Sequence, residues 1–142
     1  PAVFTAQLDP KRVRDAAAVR EISRGAGEQI VDARSAGRFA GTEPEPRPGL
    51  RGGHIPRSRN VPFTTLSHDD ATLLSPDELR ARFADAGVSL DRPVVATCGS
   101  GVTACVVVLA LDVLGHQDAA VYDGSWTEWG GRADLPAESG GA

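Results

Sequence analysis

The sequence is organised around one stretch, which reads Pro93-Val94-Val95-Ala96-Thr97-Cys98-Gly99-Ser100-Gly101-Val102-Thr103-Ala104 and continues as Cys105-Val106-Val107-Val108-Leu109-Ala110-Leu111. A short run of apolar, β-branched residues is typical of a buried strand, and the two glycines after it are typical of a tight turn. The long apolar segment that follows, closed by Gly115, is typical of a helix. The stretch therefore predicts a strand, a loop that begins at Cys98, and a helix.

Cys98 is the candidate reactive residue of this stretch. Unpaired backbone N–H groups and the positive end of the helix dipole favour an anion at a helix N-terminus. The thiolate, which is the reactive form of cysteine, is an anion, so such a setting lowers the thiol pKa. The alternative is a buried and inert cysteine, since cysteine is among the most buried residue types. Gly99 and Gly101 lack the side chains that would bury Cys98, which favours the functional interpretation.

Length and composition predict one globular domain. The chain has 142 residues, of which 41% are hydrophobic and 24% are charged, so it can form a sizeable core. A net charge of −4 argues against a nucleic-acid partner. The longest uninterrupted apolar run, from Ala104 to Leu111, is too short to cross a membrane. We therefore expect neither a nucleic acid nor a membrane among the partners.

The two cysteines predict a reducing environment. If Cys105 lies in the predicted helix, it is roughly 10 Å from Cys98 along the helix axis, which is too far for a disulfide. A chain without a disulfide framework fits the cytoplasm best. The cysteines also lack the spacing of zinc ligands, so no metal site is expected.

The rest of the chain alternates between predicted helices and strands. Asp9-Pro10 predicts the start of a first helix, preceded by a possible strand or linker, and Ser75-Pro76-Asp77-Glu78 predicts a capping box. The predicted elements are a helix over residues 10–24, a strand over 29–33, a long loop over 41–53, a helix over 76–86, a strand over 119–122, and a frayed tail over 133–142.

This alternation predicts a parallel α/β sheet that is covered on both faces. Ligands of such sheets bind at the carboxyl ends of the strands. Asp32, Cys98 and Asp123 all fall at such ends.

Three other kinds of site resemble parts of this pattern. Gly99, Gly101 and Ala104 match a dinucleotide fingerprint, but that fingerprint belongs to the first strand–helix turn of its fold, and here several elements precede it. A cysteine phosphatase needs an arginine six residues after the cysteine, where this chain has Ala104. A cysteine protease needs a histidine base, and no histidine carries a recognisable pattern. The available histidines are His54, His68 and His116, and we expect His54 to be structural.

The residues from Cys98 to Ala104 resemble the active-site loop of the rhodanese superfamily, in the form carried by its mercaptopyruvate-dependent sulfurtransferases. Further blocks match that family in the same order and extend the resemblance from about Val31 to Trp129. They are Val31-Asp32-Ala33-Arg34, Gly37-Arg38-Phe39, Pro44-Glu45-Pro46-Arg47, Gly53-His54-Ile55-Pro56, Asn60-Val61-Pro62-Phe63 and Tyr122-Asp123-Gly124-Ser125-Trp126-x-Glu128-Trp129.

The resemblance implies a rhodanese-like α/β domain with a central, mostly parallel five-stranded sheet and helices on both faces. It implies a sulfurtransferase that moves sulfane sulfur through a Cys98 persulfide and needs no cofactor. Ser100 would assist proton transfer at the cysteine, while Arg38 and Arg47 would bind the carboxylate of 3-mercaptopyruvate. The remaining substrate-binding residues would be Gly99, Gly101, Val102 and Thr103 of the loop.

Two alternatives stay open for the activity. Relatives that prefer thiosulfate, a dianion, carry basic residues directly after the cysteine, whereas this chain has Gly99 and Ser100. The sequence therefore favours 3-mercaptopyruvate over thiosulfate as the sulfur donor. A non-catalytic rhodanese-like binding module is the other alternative, and the intact loop argues against it.

The resemblance also implies partners and a domain organisation. The acceptor would be a thiol, cyanide or a thioredoxin-like protein, and a second rhodanese domain would precede this one in the parent chain. We expect an interdomain segment and first helix over residues 1–24, the catalytic core over 25–132 and a flexible tail over 133–142.

Overall fold

A computed structural model, which describes residues 2–25 and 27–141, has a five-stranded sheet at its centre. The strands are β1 (Val13–Arg14), β2 (Gln29–Asp32), β3 (Arg59–Asn60), β4 (Val94–Thr97) and β5 (Ala119–Tyr122). Their order across the sheet is β1-β5-β4-β2-β3, and these strands pair in parallel throughout. This confirms the predicted α/β fold with a parallel five-stranded sheet.

Five α-helices and two 3₁₀ turns surround the sheet in the described chain. The helices are α1 (Ala16–Ser23), α2 (Ala36–Ala40), α3 (Pro76–Asp85), α4 (Ala104–Val113) and α5 (Ser125–Trp129), and the turns are Pro10–Arg12 and Phe63–Leu66. The predicted capping box is present, since Ser75 accepts from the Glu78 N–H and the Glu78 carboxylate accepts from the Ser75 N–H.

The two faces of the sheet carry separate cores because successive side chains of a strand point to opposite faces. Val31 and Ala96 pack on one face with residues of α3 and α4. Ile30 and Val95 pack on the other face with residues of α1 and α5. Fully burying an aliphatic side chain stabilises a fold by about 1.5–3 kcal/mol. Both faces of the sheet are thus covered, as predicted.

The first helix is shorter than predicted. Asp9 caps only the 3₁₀ turn, and Asp15 is the residue whose carboxylate accepts from an N–H of α1, that of Ala18. Between them, Val13 pairs with Val121 of β5 as an edge strand. Tertiary pairing with β5 therefore overrides the local helix signal. The possible strand before the turn is also wrong, because residues 2–9 form no strand.

The segment from residue 133, which we predicted to be frayed, is attached to the domain as far as Gly140, whose N–H donates to the Ala40 carbonyl at 2.9 Å. Leu135 is 2% exposed and belongs to the core on the α1 side. The Trp129 indole donates to the Pro136 carbonyl at 2.6 Å, and Glu138 pairs with His54 through their backbones. Leu135 is the one buried residue among residues 133–141, and a lone buried residue gives no periodic signal in the sequence.

Among the described residues, no helix has both the length and the apolar character that crossing a membrane requires.

Candidate active site

The site lies at the carboxyl end of β4, between its two neighbours β5 and β2. Cys98 directly follows β4, and α4 begins six residues later at Ala104. The loop between them connects the end of β4 with the start of α4. The predicted strand–loop–helix unit is therefore confirmed.

Cys98 itself is 1% exposed and belongs to the core under α4. The expectation that Gly99 and Gly101 would leave it uncovered is wrong. A side chain at Gly99 would place its Cβ 2.8 Å from an Arg38 nitrogen, and one at Gly101 would place it 2.7 Å from the Asp123 carbonyl. Gly101 also has a φ of +83°, which favours glycine. The two glycines therefore make room for Arg38 and for the loop after β5.

The surroundings of Cys98 favour its ionised form. Burial is the largest influence and would raise the thiol pKa. The Thr103 hydroxyl, the backbone N–H groups of Ser100 and Ala104, and the Ser125 hydroxyl act in the opposite direction and prevail, so the pKa of Cys98 is lowered. The loop N–H groups and hydroxyls thus form a site that stabilises a negative sulfur atom.

Ser125 is a residue of the site that sequence reasoning missed. Its hydroxyl accepts from the Cys98 N–H at 3.0 Å, and its one proton can be donated either to the Tyr122 carbonyl at 2.8 Å or to the Cys98 sulfur at 4.0 Å. Ser125 is completely buried and has a φ of +48°, a region that a non-glycine residue rarely adopts. Its place just after the predicted strand over residues 119–122 is the signal that could have identified it, since residues at the carboxyl ends of parallel strands meet at one edge of the sheet.

Helix α5 holds the first two residues of the loop by their carbonyl groups. The Trp126 N–H donates to the Cys98 carbonyl at 2.9 Å, and the Thr127 N–H donates to the Gly99 carbonyl at 2.9 Å. The Thr127 hydroxyl donates to the same Gly99 carbonyl at 2.6 Å. The first turn of α5 is therefore the support of the loop.

Arg38 lies beside the loop and is held by a buried carboxylate. Its Nη2 atom donates to Glu45 at 2.6 Å, and Glu45 also accepts from Arg34 at 2.7 Å. Arg34 in turn pairs with Asp32, so the aspartate that ends β2 is used inside the protein. Arg38 keeps about a quarter of its side chain exposed. Its Nη2 atom therefore lies beside Gly99 as well as beside Glu45.

Arg47 is exposed and reaches the loop through Thr127. Its Nη1 atom donates to the Thr127 hydroxyl at 2.9 Å, the same hydroxyl that donates to Gly99. The fold therefore brings both arginines to Gly99, although nine positions separate them in the sequence. Arg38 lies directly beside Gly99, and Arg47 is connected to it through Thr127.

The remaining predicted loop residues differ in what they present to the sulfur atom. Thr103 turns its hydroxyl to Cys98, whereas Ser100 presents its backbone N–H and has an exposed side chain. Val102 is 71% exposed. The catalytic role of the Ser100 hydroxyl and the substrate contacts of the loop remain predictions.

Two of the histidines lie in structural positions. His54 is buried, stacks on the Phe39 ring with the centroids 3.8 Å apart, and contacts the Phe39 carbonyl through Nδ1 at 2.9 Å. His116 contacts the Leu90 carbonyl through Nδ1 at 2.9 Å. The structural role expected for His54 is confirmed.

A cavity on another part of the described chain lies away from Cys98. It has a volume of about 700 Å³, and its lining includes Arg57 and Arg59. These guanidinium groups lie against Gly25 and Gly87, directly after α1 and α3. Because the C-terminus of a helix favours a cation, these arginines are accounted for by the fold.

Comparison with known proteins identifies the family of this architecture. A family model described as "Rhodanese-like domain" matches residues 15–132. The chain is 50% identical over 133 residues to 3-mercaptopyruvate sulfurtransferase of Mus musculus, covering 94% of this chain and 45% of that protein. It is 48% identical over 130 residues to thiosulfate sulfurtransferase of Cricetulus griseus, covering 91% of this chain and 44% of that protein.

A solved structure shares the fold as well as the sequence. It is the crystal structure of SseA from Escherichia coli, described as a 3-mercaptopyruvate sulfotransferase with the "Rhodanese" fold. The TM-score is 0.74 at 44% identity, and the match covers 87% of this chain and 45% of that one. The chain thus spans about half the length of the relatives that it matches.

Proposed function

The chain belongs to the family of rhodanese-like domains, and on this basis we propose that it transfers sulfane sulfur from 3-mercaptopyruvate to a thiophilic acceptor through a persulfide on Cys98. The observation that carries the proposal is the lowered pKa of a cysteine in a cup of N–H and hydroxyl donors, with two arginines bordering the same loop.

In the first half-reaction, the Cys98 thiolate attacks the sulfur atom of 3-mercaptopyruvate. An S–S bond forms, the C–S bond breaks, and its electron pair stays on carbon as the enolate of pyruvate, which then takes up a proton. The loop donors that favour the thiolate, namely the N–H groups of Ser100 and Ala104 and the Thr103 hydroxyl, can equally hold the terminal sulfur of the persulfide as an anion. Ser100 is proposed to assist the proton transfer.

In the second half-reaction, the acceptor attacks the terminal sulfur of the persulfide. The new bond forms between the acceptor and that sulfur, the S–S bond breaks, and Cys98 leaves as a thiolate. The low pKa of Cys98 makes it a good leaving group. A small thiol, cyanide or a thioredoxin-like protein has the required nucleophilic atom.

Arg38 and Arg47 support 3-mercaptopyruvate as the donor. A guanidinium can grip a carboxylate in a planar fork, and both side chains border Gly99, next to the reacting sulfur atom. Gly101, Val102 and Thr103 would complete the donor site. Thiosulfate is the second candidate donor, which the similarity to a thiosulfate sulfurtransferase favours.

The test is mass spectrometry of the intact protein after incubation with 3-mercaptopyruvate in the absence of reducing agents. We expect a gain of one sulfur atom that is lost in Cys98→Ser and retained in Cys105→Ser. A protein that gains no sulfur from 3-mercaptopyruvate, nor from thiosulfate in a parallel sample, would contradict the proposal and favour a binding module.

The half-length coverage of the relatives supports a second rhodanese domain as a partner in the parent chain. We also propose a cytoplasmic location, for which the two free cysteines are the supporting observation.

A further inference from the structure

Thr127 occupies the one position that the motif around Trp126 leaves open, yet its side chain joins two parts of the site. Its hydroxyl oxygen lies 2.9 Å from Arg47 Nη1 and 2.6 Å from the Gly99 carbonyl oxygen. Thr127 is half-buried at the first turn of α5.

The chemistry of the three groups fixes the direction of both hydrogen bonds. A guanidinium can only donate and a carbonyl can only accept. The Thr127 hydroxyl must therefore accept a hydrogen bond from Arg47 and donate one to the Gly99 carbonyl. A hydroxyl that accepts from a cation becomes a stronger donor, so the charge of Arg47 strengthens the bond to Gly99.

The carbonyl that receives this bond belongs to the peptide unit that faces the sulfur. The Gly99 carbonyl and the Ser100 N–H lie in one planar peptide group. The Ser100 N–H is among the donors that favour the Cys98 thiolate. With the Thr127 N–H at 2.9 Å as a second donor, the Gly99 carbonyl is held at two points, and the orientation of the Ser100 N–H follows from it.

We propose that Thr127 is a positioning residue that links Arg47 to the sulfur-binding N–H of Ser100. This inference deepens the proposed function and rests on it, because it takes Arg47 to be a carboxylate-binding residue. A donor with a carboxylate then orders Arg47, Thr127 and the Gly99–Ser100 peptide together. A donor without a carboxylate does not bind Arg47 and therefore does not act through these hydrogen bonds.

The first experiment measures the link at the sulfur end without any sulfur transfer. In a Cys105→Ser background, only Cys98 can be alkylated, and the pH dependence of its iodoacetamide reaction reports the thiol pKa. We expect Thr127→Val to shift the midpoint to higher pH and to slow alkylation at neutral pH about three- to tenfold, because the peptide that carries the Ser100 N–H loses a restraint. Thr127→Ser, which keeps the hydroxyl, should restore the original profile.

Two results would overturn the inference at this end. One is an unchanged profile in Thr127→Val, and the other is an equal shift in Thr127→Ser, which would indicate that side-chain packing, and not the hydroxyl, sets the profile. Thr127→Ala removes the same hydroxyl with less bulk and decides the matter if the valine variant fails to fold.

The second experiment measures the link at the arginine end. We expect Thr127→Val to raise the KM for 3-mercaptopyruvate about tenfold when Arg47 is present. The same substitution should have little effect in an Arg47→Gln background, since the two residues act in one chain of hydrogen bonds. Independent, additive effects would overturn the link. If no variant transfers sulfur at all, the proposed function fails, while the alkylation profile still decides whether Thr127 acts on the sulfur site.

Discussion

Cys98 shows how single donors can outweigh burial. A thiol with 1% exposure is expected to resist ionisation, yet the pKa of Cys98 is lowered. Of the groups that favour the thiolate, the Thr103 hydroxyl has the largest effect. Thr103 precedes α4 without capping it through its side chain, so its hydroxyl is available to the sulfur.

Replacing Thr103 by valine should raise the pKa of Cys98. The thiolate predominates above the pKa that Cys98 has in the folded protein, so a raised pKa moves the reactive range to higher pH. We expect a shift of about one pH unit for one lost hydrogen bond to an anion. The pH dependence of Cys98 alkylation in a Cys105→Ser background measures this. Thr103→Ser, which keeps the hydroxyl, is the control, and an unchanged midpoint in the valine variant would refute the role of Thr103.

Replacing Arg47 by alanine should affect donors selectively. The KM for 3-mercaptopyruvate should rise about ten- to a hundredfold, because a carboxylate loses a charged partner, while an uncharged sulfur donor should be affected much less. Steady-state kinetics with both donors measure the difference. Arg57→Ala, at an exposed arginine outside the site, is the control. Equal effects on both donors would show that Arg47 does not bind the carboxylate.

At the scale of elements, two aspartates near the start of the chain cap different elements. Asp9 accepts from Lys11 at a turn of three residues, whereas Asp15 accepts from Ala18 at the eight-residue helix α1. Helix α1 packs Val19 and Ile22 on the sheet. The second cap therefore supports an element of the core.

Asp15→Ala should lower the free energy of unfolding by about 1 kcal/mol, the usual cost of losing an N-cap. Asp9→Ala should cost less, since its turn contributes no buried residue. Urea denaturation of both variants checks this order. An equal loss would mean that the turn matters to stability as much as α1 does.

The elements that were predictable from the sequence are those with local signals. The strand before Cys98, the capped start of α3 and the apolar α4 were found from periodicity and capping residues. The edge strand β1 was missed because it exists only through its pairing with β5. In the same way, Ser125 and Thr127 reach the loop because β5 lies beside β4, which no local pattern reveals.

At the scale of the whole molecule, a buried ionic network connects β2, the long loop and α5. The Arg34 side chain is completely buried, lies 2.7 Å from both Asp32 and Glu45, and stacks over the Trp126 ring at 4.4 Å. It also donates to the Gly53 carbonyl at 2.7 Å. One guanidinium thus holds the start and the end of the loop over residues 41–53 against the sheet.

Arg34→Met should destabilise the protein by about 3–5 kcal/mol, because Asp32 and Glu45 would remain buried without their cation. Arg24→Met, at an exposed pair with Glu21, should change stability by less than about 1 kcal/mol. Urea denaturation of the two variants measures the contrast. Similar small losses in both would mean that water reaches the network when Arg34 is absent.

The parallel sheet ends on each side in a strand of only two residues, β1 and β3. An open sheet edge is a template on which a foreign strand can add, and from which aggregates grow. Here each edge offers one short pair of residues, and Pro62 follows soon after β3. The same shortness that hid β1 from the sequence thus protects the domain against edge-to-edge assembly.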